Sequence, residues 1–334
     1  MSREHQVVAD LGPVRVTVVT DHVGVVDYLR AFYSLEPSTA HEELSGWTIQ
    51  ARLAEPEPGM ALTPWRVGYR VDLESQQAVV CSSDPSDLAI TVRKVIREVL
   101  LDYCEAREYT MLHASAVADG ARVVIVVGDK GSGKTTLALG AALGGSRFLS
   151  NDHLILYRTR EGLVVTSLPT PIPVKIGTYF DYADRLGAPW GNEGVDIEEF
   201  RRMPCQQRYG HDVRLLYTYR GLGQRNPLHT VLAGRQVVVV LAGYAPEGQP
   251  VSAPTVVADP VGALWPHVRF DWVFDPGLNT HHLPRIERDR DAYARDAAER
   301  LAELAAVSRV VTWRHHGALT PLLAAIADQP EGPR

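Results

Sequence analysis

Apolar residues recur with two different spacings in the first third of the chain, and each spacing predicts an element. The β-branched stretch 13–21 predicts a strand, and apolar residues at helical spacing follow over 22–35. The stretches 65–73 and 76–83 are typical of two strands of a hairpin or meander. The clearest helix is predicted over 86–107, where it would either pack on a core or connect two domains.

The rest of the chain alternates strand and helix signals, which is typical of an α/β domain. An apolar strand is predicted at 123–127 and a helix at 137–143, with a glycine-rich loop between them. A later strand is predicted at 236–244, and a last strand and helix over 308–328. Together with the first third, this pattern predicts two domains, an α+β domain over residues 1–105 and an α/β domain over 106–334.

Length and composition agree with two globular domains. The chain has 334 residues, of which 45% are hydrophobic and 22% charged, so a disordered, collagenous or coiled-coil protein is excluded. The formal net charge of −6 gives no overall basic field for nucleic acid or an anionic membrane.

Several features of the sequence favour a cytoplasmic protein. The three cysteines have no CxxC spacing, which argues against a disulfide framework or a zinc site. No apolar run approaches the roughly 20 residues that a spanning helix needs. The first residues lack the apolar core of a signal peptide.

A phosphate-binding loop is the strongest chemical signal in the sequence. Residues 128–135, GDKGSGKT, match the pattern GxxxxGK[ST] and stand between the predicted strand and helix, as this motif requires. Backbone N–H groups of such a loop surround phosphates, its lysine neutralises their charge, and its threonine can ligate Mg²⁺. The residues predicted to bind nucleotide are Gly128, Asp129, Lys130, Gly131, Ser132, Gly133, Lys134, Thr135 and Thr136.

Most phosphate-loop NTPases have a second strand that ends in an aspartate, which holds a water molecule bound to Mg²⁺. In this chain the acid must come from elsewhere. The candidate strand at 237–241 is followed by Ala242-Gly243-Tyr244, without an acid. Asp152 follows the phosphate loop, at the predicted start of a strand beside the loop strand. We therefore expect Thr135 and Asp152 to hold Mg²⁺.

Residues 110–157 resemble the HPr kinase/phosphorylase family, whose phosphate-loop fold is related to PEP carboxykinase. His113 in LHASAV precedes the loop as a histidine does in that family, GDKGSGKTT is similar to its GDSGxGKSE, and RFLSNDHLILY stands where the family has a strand with an Asp-Asp pair. The region also resembles shorter kinase-like proteins of peptide natural-product clusters, which phosphorylate a serine hydroxyl.

The resemblance implies a kinase domain with a mixed central sheet, and it implies roles for individual residues. His113, Asn151, Asp152 and Lys134 would be catalytic, and family members form oligomers, which makes a homo-oligomer an expectation. The chain departs from the family pattern at three points. Asn151 replaces the first aspartate, Thr136 replaces a glutamate, and the later glycine-rich signature is missing, which argues against HPr as the substrate and against phosphorylase activity.

Other charged groups have both a functional and a structural interpretation. Lys175 and the arginines at 201, 202 and 208 could reach phosphates or an acidic acceptor, or they could simply be solvated. The histidine pairs at 281–282 and 315–316 lack an acid at the spacing that would complete a metal site.

The sequence thus favours an ATP- or GTP-dependent, Mg²⁺-dependent kinase that transfers phosphate to a hydroxyl of a peptide, protein or small molecule. The alternatives are a nucleotide-binding scaffold that has lost transfer chemistry, and an NTPase. The N-terminal domain and the arginine-rich stretch 187–226 are the candidate acceptor-recognition regions.

Overall fold

The computed structural model of the chain describes residues 4–37, 46–191, 194–224, 229–245, 249, 251, 253–275, 281–284 and 288–322. The chain forms two compact units, one from residues 1–107 and 271–288, the other from 108–270 and 289–334. The boundary predicted from the sequence lies between 105 and 106, two residues earlier. The prediction also assigned 271–288 to the second domain, whereas the structure places this segment in the first.

The first unit has an α+β organisation. Its N-terminal part contains β1 (His5–Asp10), β2 (Arg15–Thr20), α1 (Val23–Arg30), β3 (Ser34–Pro37), β4 (Trp47–Leu53), β5 (Ala61–Leu62), β6 (Gly68–Asp72), β7 (Gln77–Ser82) and α2 (Pro85–Glu105). The strands form one sheet with the order β3-β1-β2-β4-β7-β6-β5, and helices α1 and α2 pack beside each other. The predicted hairpin is confirmed as the antiparallel pair β6 and β7.

Helix α2 confirms the helix predicted over 86–107. Asp84 caps its N-terminus by accepting hydrogen bonds from the backbone N–H groups of Ser86 and Asp87, and Pro85 occupies the first turn, where no N–H partner is needed. The apolar stripe is buried and packs on β4 and β7. The helix is therefore part of the core of the first unit.

Contacts of Glu98, on α2, explain why the segment 271–288 belongs to the first unit. Its carboxylate accepts hydrogen bonds from the backbone N–H groups of His282 (2.6 Å) and Leu283 (2.8 Å). It also lies 2.8 Å from Nδ1 of His282, and both side chains are buried. A buried carboxylate is stable only with such partners, so this contact fastens 281–284 to α2.

The second unit contains the phosphate loop. Its elements are β8 (Thr110–Leu112), β9 (Ala114–Asp119), β10 (Arg122–Val127), α3 (Lys134–Leu143), β11 (Arg147–Ser150), β12 (Leu154–Thr159), β13 (Gly162–Ser167), β14 (Ile172–Lys175), α4 (Ile176–Tyr182), α5 (Ile197–Arg202), α6 (Cys205–Arg208), β15 (Arg214–Tyr217), β16 (Thr230–Val231), β17 (Gln236–Tyr244), β18 (Thr255–Val256), α7 (Pro260–Leu264), a 3-10 helix (Trp265–His267), α9 (Arg290–Val307) and β19 (Ser308–His315). Between the 3-10 helix and α9 the chain forms α8 (Phe270–Phe274), of which residues 271–274 belong to the first unit.

A six-stranded sheet with the order β11-β9-β10-β17-β19-β18 forms the centre of this unit. β10, β17 and β19 are parallel to one another, while β9, β11 and β18 pair antiparallel, so the sheet is mixed. The valine-rich parallel strands are largely buried, as expected for strands covered on both faces. Smaller sheets, β16-β13-β12-β8 and β14-β15, complete the unit.

The mixed α/β fold predicted from the sequence is therefore present. The strands predicted at 123–127 and 236–244 and the helix after the glycine-rich loop are confirmed. The helix predicted at the end of the chain lies mostly beyond residue 322, outside the described residues. None of the helices in the described part of the chain is both long and apolar enough to cross a bilayer.

Replacing Glu98 with alanine should destabilise the first unit by about 3 kcal/mol, because buried donors of His282 and Leu283 would lose their acceptor. Urea unfolding followed by tryptophan fluorescence measures the change. Glu74→Ala, at an exposed turn, is the matched control and should shift the midpoint little. Equal shifts in both variants would contradict the stabilising role of Glu98.

Candidate functional site

Three chain segments meet at one edge of the six-stranded sheet. β10 runs directly into the phosphate loop at Gly128. β9 is antiparallel to β10, with its first residue opposite the last residue of β10, so His113 lies at the same edge. β11 is antiparallel to β9, and Asn151 and Asp152 follow its C-terminal end. The topology thus brings together residues that are far apart in sequence.

The path by which Asp152 reaches this edge differs from the prediction. We expected Asp152 at the start of a strand beside the loop strand, but it lies in the bend between β11 and β12, and β9 separates β11 from β10. The physical reason is a change of sheet. β11 pairs with β9, whereas β12 pairs with β8 and β13, so the chain must turn between Ser150 and Leu154.

The backbone of the phosphate loop requires glycine. Gly128, Gly131 and Gly133 have φ values of +148°, +88° and +88°, which L side chains rarely adopt. A Cβ at Gly128 would lie 2.6 Å from the carbonyl oxygen of Ala242. α3 begins at Lys134, directly after the loop, so the N–H groups of its first turn are oriented towards an anion.

Lys134 is buried and held by the loop itself. Its Nζ donates to the carbonyl oxygens of Gly128 (2.7 Å) and Asp129 (3.1 Å). Burial lowers the pKa of Lys134, while the negative charges of Asp152 and Asp129 act in the opposite direction. The ammonium group is therefore held at the loop, within electrostatic range of the carboxylates of Asp152 and Asp129.

His113 and Asp152 form a hydrogen-bonded pair. Nε2 of His113 lies 3.1 Å from Oδ1 of Asp152. This hydrogen bond lowers the pKa of Asp152 to about 2, against the effect of burial, and the charges of His113, His153 and Lys134 contribute. Asp152 is consequently a carboxylate at neutral pH, as a magnesium ligand must be.

Asn151 carries the clearest sign of an unfilled interaction. Its side chain is buried, yet Oδ1 has no hydrogen-bond partner among the described residues, while its backbone carbonyl accepts a hydrogen bond from the Ser115 hydroxyl. The Oγ of Ser132 in the loop is also buried and has no partner in the part of the chain that the structure describes. Buried polar atoms are nearly always satisfied, so these two atoms are suited to ligand contacts.

The two threonines after Lys134 have different surroundings. Thr135 lies in the first turn of α3 beside the loop, where its hydroxyl could reach a metal ion on the phosphates. The hydroxyl of Thr136 lies 2.9 Å from that of Thr178 on α4. The family that residues 110–157 resemble has a glutamate at this position, whereas here the side chain of Thr136 makes a contact between α3 and α4.

His315, at the end of β19, contacts the backbone of the phosphate loop, a role that the sequence analysis did not predict. Gly317 N–H donates to its Nδ1 (2.9 Å), so the hydrogen resides on Nε2, which donates to the Ser132 carbonyl (2.8 Å). A Cβ on Gly133 would lie 2.5 Å from Cε1 of this ring. The sequence places His315 at the end of a predicted strand, but the pair 315–316 was considered only for a metal site, which the absence of an acid at the right spacing argued against.

His267 is a second residue that sequence reasoning missed. Its carbonyl oxygen accepts a hydrogen bond from His113 N–H (2.8 Å). Burial lowers the pKa of its imidazole, and the positive charge of Lys134 acts in the same direction. No pattern around residue 267 would have revealed this, because the contact depends on the tertiary fold.

The remaining predicted groups have separate positions. Asp129 and Lys130 are exposed on the loop, and Lys175 and Lys130 both lie near Asp212. Arg208 donates to backbone carbonyls of 200–203, which gives it a structural role. No group of three or more His, Cys, Asp or Glu side chains suited to a metal occurs in the described ranges, so a cation here would need phosphate or water ligands as well.

Two glycines of the loop allow steric contact to be separated from backbone strain. Gly131→Ala and Gly133→Ala each impose a left-handed alanine, at about 1–2 kcal/mol, because both glycines have φ of +88°. Only Gly133→Ala also collides with His315, which should add about 1–3 kcal/mol. Free energies of unfolding measure the difference. Equal losses in the two variants would show that His315 does not support the loop.

The buried imidazole of His315 should make stability depend on pH. Burial lowers its pKa below the ordinary 6.5, so the unfolded chain takes up the proton first as pH falls. Its stabilising contribution is complete above about pH 6.5 and is lost as pH falls through the lowered pKa. Melting temperatures between pH 7.5 and 5 should fall more steeply for the natural chain than for His315→Gln. His316→Gln is the neighbouring control and should keep the steep slope; a steep slope in His315→Gln would contradict the assignment.

A scan against models of protein families finds no match to this chain, and a search of curated proteins finds none either. The function must therefore be inferred from the residues and geometry of the site.

Proposed function

We propose that this protein is an ATP- and Mg²⁺-dependent kinase that transfers the γ-phosphate to a hydroxyl group of a peptide, protein or small molecule. The observation that carries the proposal is the hydrogen-bonded pair of His113 and Asp152 at the sheet edge where the phosphate loop begins. A phosphate loop alone would support nucleotide binding. A carboxylate and an imidazole beside it supply the groups for metal binding and for contact with an acceptor.

The loop residues fit a nucleotide triphosphate. The left-handed glycines and the start of α3 expose backbone N–H groups to an anion, and Ser132 Oγ is a buried hydroxyl without a partner. Lys134 would exchange its bonds to the loop carbonyls for bonds to phosphate oxygens. ATP would supply the phosphoryl group, and the Mg²⁺ bound to it would neutralise part of the phosphate charge. Thr135 and Asp152 are the protein groups that would hold the metal.

On the acceptor side, the chain offers positioning more than strong base catalysis. The amide of Asn151 cannot take a proton near neutral pH, but its unpartnered Oδ1 can accept a hydrogen bond from a hydroxyl. When neutral His113 donates from Nε2 to Asp152, its basic nitrogen is Nδ1, which can receive the hydroxyl proton. Because phosphoryl transfer depends chiefly on alignment and charge, such an arrangement is chemically sufficient.

A nucleotide-binding scaffold or NTPase is the alternative, and Asn151 is the observation that favours it. The residue stands where the family that residues 110–157 resemble has a carboxylate for the acceptor. Thr136, bonded to Thr178, likewise removes a family glutamate from the site. These features would leave nucleotide binding intact while weakening transfer.

The proposal is tested with the purified chain, γ-labelled ATP, Mg²⁺ and an extract of its source cells. The natural chain should label a discrete acceptor, and Asp152→Asn should reduce this at least about 100-fold, because Mg²⁺ would lose a carboxylate ligand and with it the charge neutralisation that the metal supplies to the transferring phosphoryl group. Asp119→Asn, at the exposed end of β9, is the matched control and should retain full labelling.

Other outcomes identify the alternatives. Bound nucleotide without any transfer of label would reject the kinase and favour the scaffold. Release of inorganic phosphate alone would indicate an NTPase. Equal labelling by Asp152→Asn and the natural chain would remove Asp152 from the chemistry.

A further inference from the structure

Asp212 is surrounded by three cationic side chains beside the phosphate loop. Its carboxylate lies 3.1 Å from Arg214, 3.6 Å from Lys130 and 3.7 Å from Lys175. Arg214 contacts both carboxylate oxygens, at 3.1 and 3.3 Å. We call these four residues the Asp212 cluster.

Two parts of the second unit form the Asp212 cluster. Lys175 ends β14 and is paired in register with Arg214, the first residue of β15, and Asp212 precedes β15 by two residues. Lys130 comes from the phosphate loop. The cluster therefore connects the two-stranded sheet β14–β15 to the loop that is suited to phosphates.

The charges of the cluster do not balance. Three cations face one carboxylate, and Arg214 foremost lowers the pKa of Asp212, so the carboxylate is ionised. Asp129 adjoins Lys130 in sequence but forms no ion pair with these cations within the described ranges. An excess positive charge thus remains next to the loop.

The cations are also accessible. The exposed fractions of the four side chains run from 38% for Lys175 to 73% for Lys130. Exposed ion pairs contribute little to stability, so Asp212 can be displaced by another anion at small cost. Arg214 is suited to replace one carboxylate by another oxyanion, since its planar guanidinium matches carboxylate and phosphate geometry alike.

We propose that the Asp212 cluster is a second anion subsite, in which Asp212 occupies the place of a carboxylate or phosphate group carried by the phosphoryl acceptor. The inference rests on the proposed kinase function and narrows its substrate class to hydroxyl compounds or peptides with an anionic group near the hydroxyl. The same oxyanion chemistry could be supplied by the γ-phosphate of the nucleotide, and the experiment separates these two sources.

The test uses the full chain saturated with Mg²⁺ and a non-hydrolysable ATP analogue, into which inorganic phosphate is titrated in a calorimeter. The analogue fills the phosphate loop, so phosphate reports on the second subsite. Arg214→Gln should weaken phosphate binding at least fivefold, and Asp212→Asn should strengthen it at least threefold, because the internal competitor is gone. Arg160→Gln, an exposed arginine at the β12–β13 turn, is the control and should change nothing.

Arg214→Gln and Asp212→Asn are expected to change the affinity for phosphate in opposite directions. If Asp212 merely stabilised the pairing of β14 with β15, its replacement would weaken phosphate binding or lower the melting temperature, and the subsite would be rejected. Loss of analogue affinity in Arg214→Gln would assign the cluster to the nucleotide and reject an acceptor subsite.

The inference and the proposed function fail in different ways. If the natural chain binds the analogue but no phosphate, only the second subsite is rejected. If it does not bind the analogue at all, both are rejected. In the labelled-ATP assay, Arg214→Gln should lower transfer at least tenfold without changing the affinity for ATP, and unchanged transfer would overturn the inference.

Discussion

The packing of three parallel strands, of which β10 and β17 are valine-rich and largely buried, is the constraint on which the site depends. β10, β17 and β19 run side by side with a continuous register, so their C-terminal ends lie at one edge of the sheet. The first end becomes the phosphate loop, the second places Ala242 against Gly128, and the third places His315 under Ser132. Hydrophobic burial has no direction of its own, but the close packing of these strands fixes the positions of the polar atoms at their ends.

Electrostatics at this edge follows from that geometry. Lys134 is largely removed from water, and this desolvation lowers its pKa, while the charges of Asp152 and Asp129 oppose the effect. Asp152 is in turn ionised because His113 donates to it. Each charged group is thus stabilised by another group of the site, which agrees with a site organised in advance of any ligand.

Local sequence was enough to predict the elements that carry strong signals. The glycine-rich loop, the strand before it, the helix after it and α2 all follow from spacing and from residue type within short windows. β4 was missed because the strands that pair with it, β2 and β7, are distant in sequence, and β1 was missed although it pairs with the adjacent β2. Predictions failed where sheet membership decided the outcome, as for Asp152, which sits between two sheets and follows a strand separated from the loop by β9.

The residues of the candidate site likewise divide into those that the local sequence predicts and those that only the fold reveals. His113, Asp152, Asn151 and Lys134 were all candidates, and the first two are in contact. His267 and His315 were not recognised, because their roles arise from hydrogen bonds to backbone atoms distant in sequence. Asp212 could not be singled out either, since only strand pairing and the loop bring its three cations together.

The segment 271–288 has a consequence for the order in which the chain matures. The first unit is N-terminal in sequence, but Glu98 acquires its partners only when residues 282 and 283 are available. During synthesis, domains generally fold as their residues emerge, so the earlier unit must wait while most of the later one is made. The N-terminal unit is therefore completed late, and until then a buried glutamate on its longest helix is exposed to water and to competing partners.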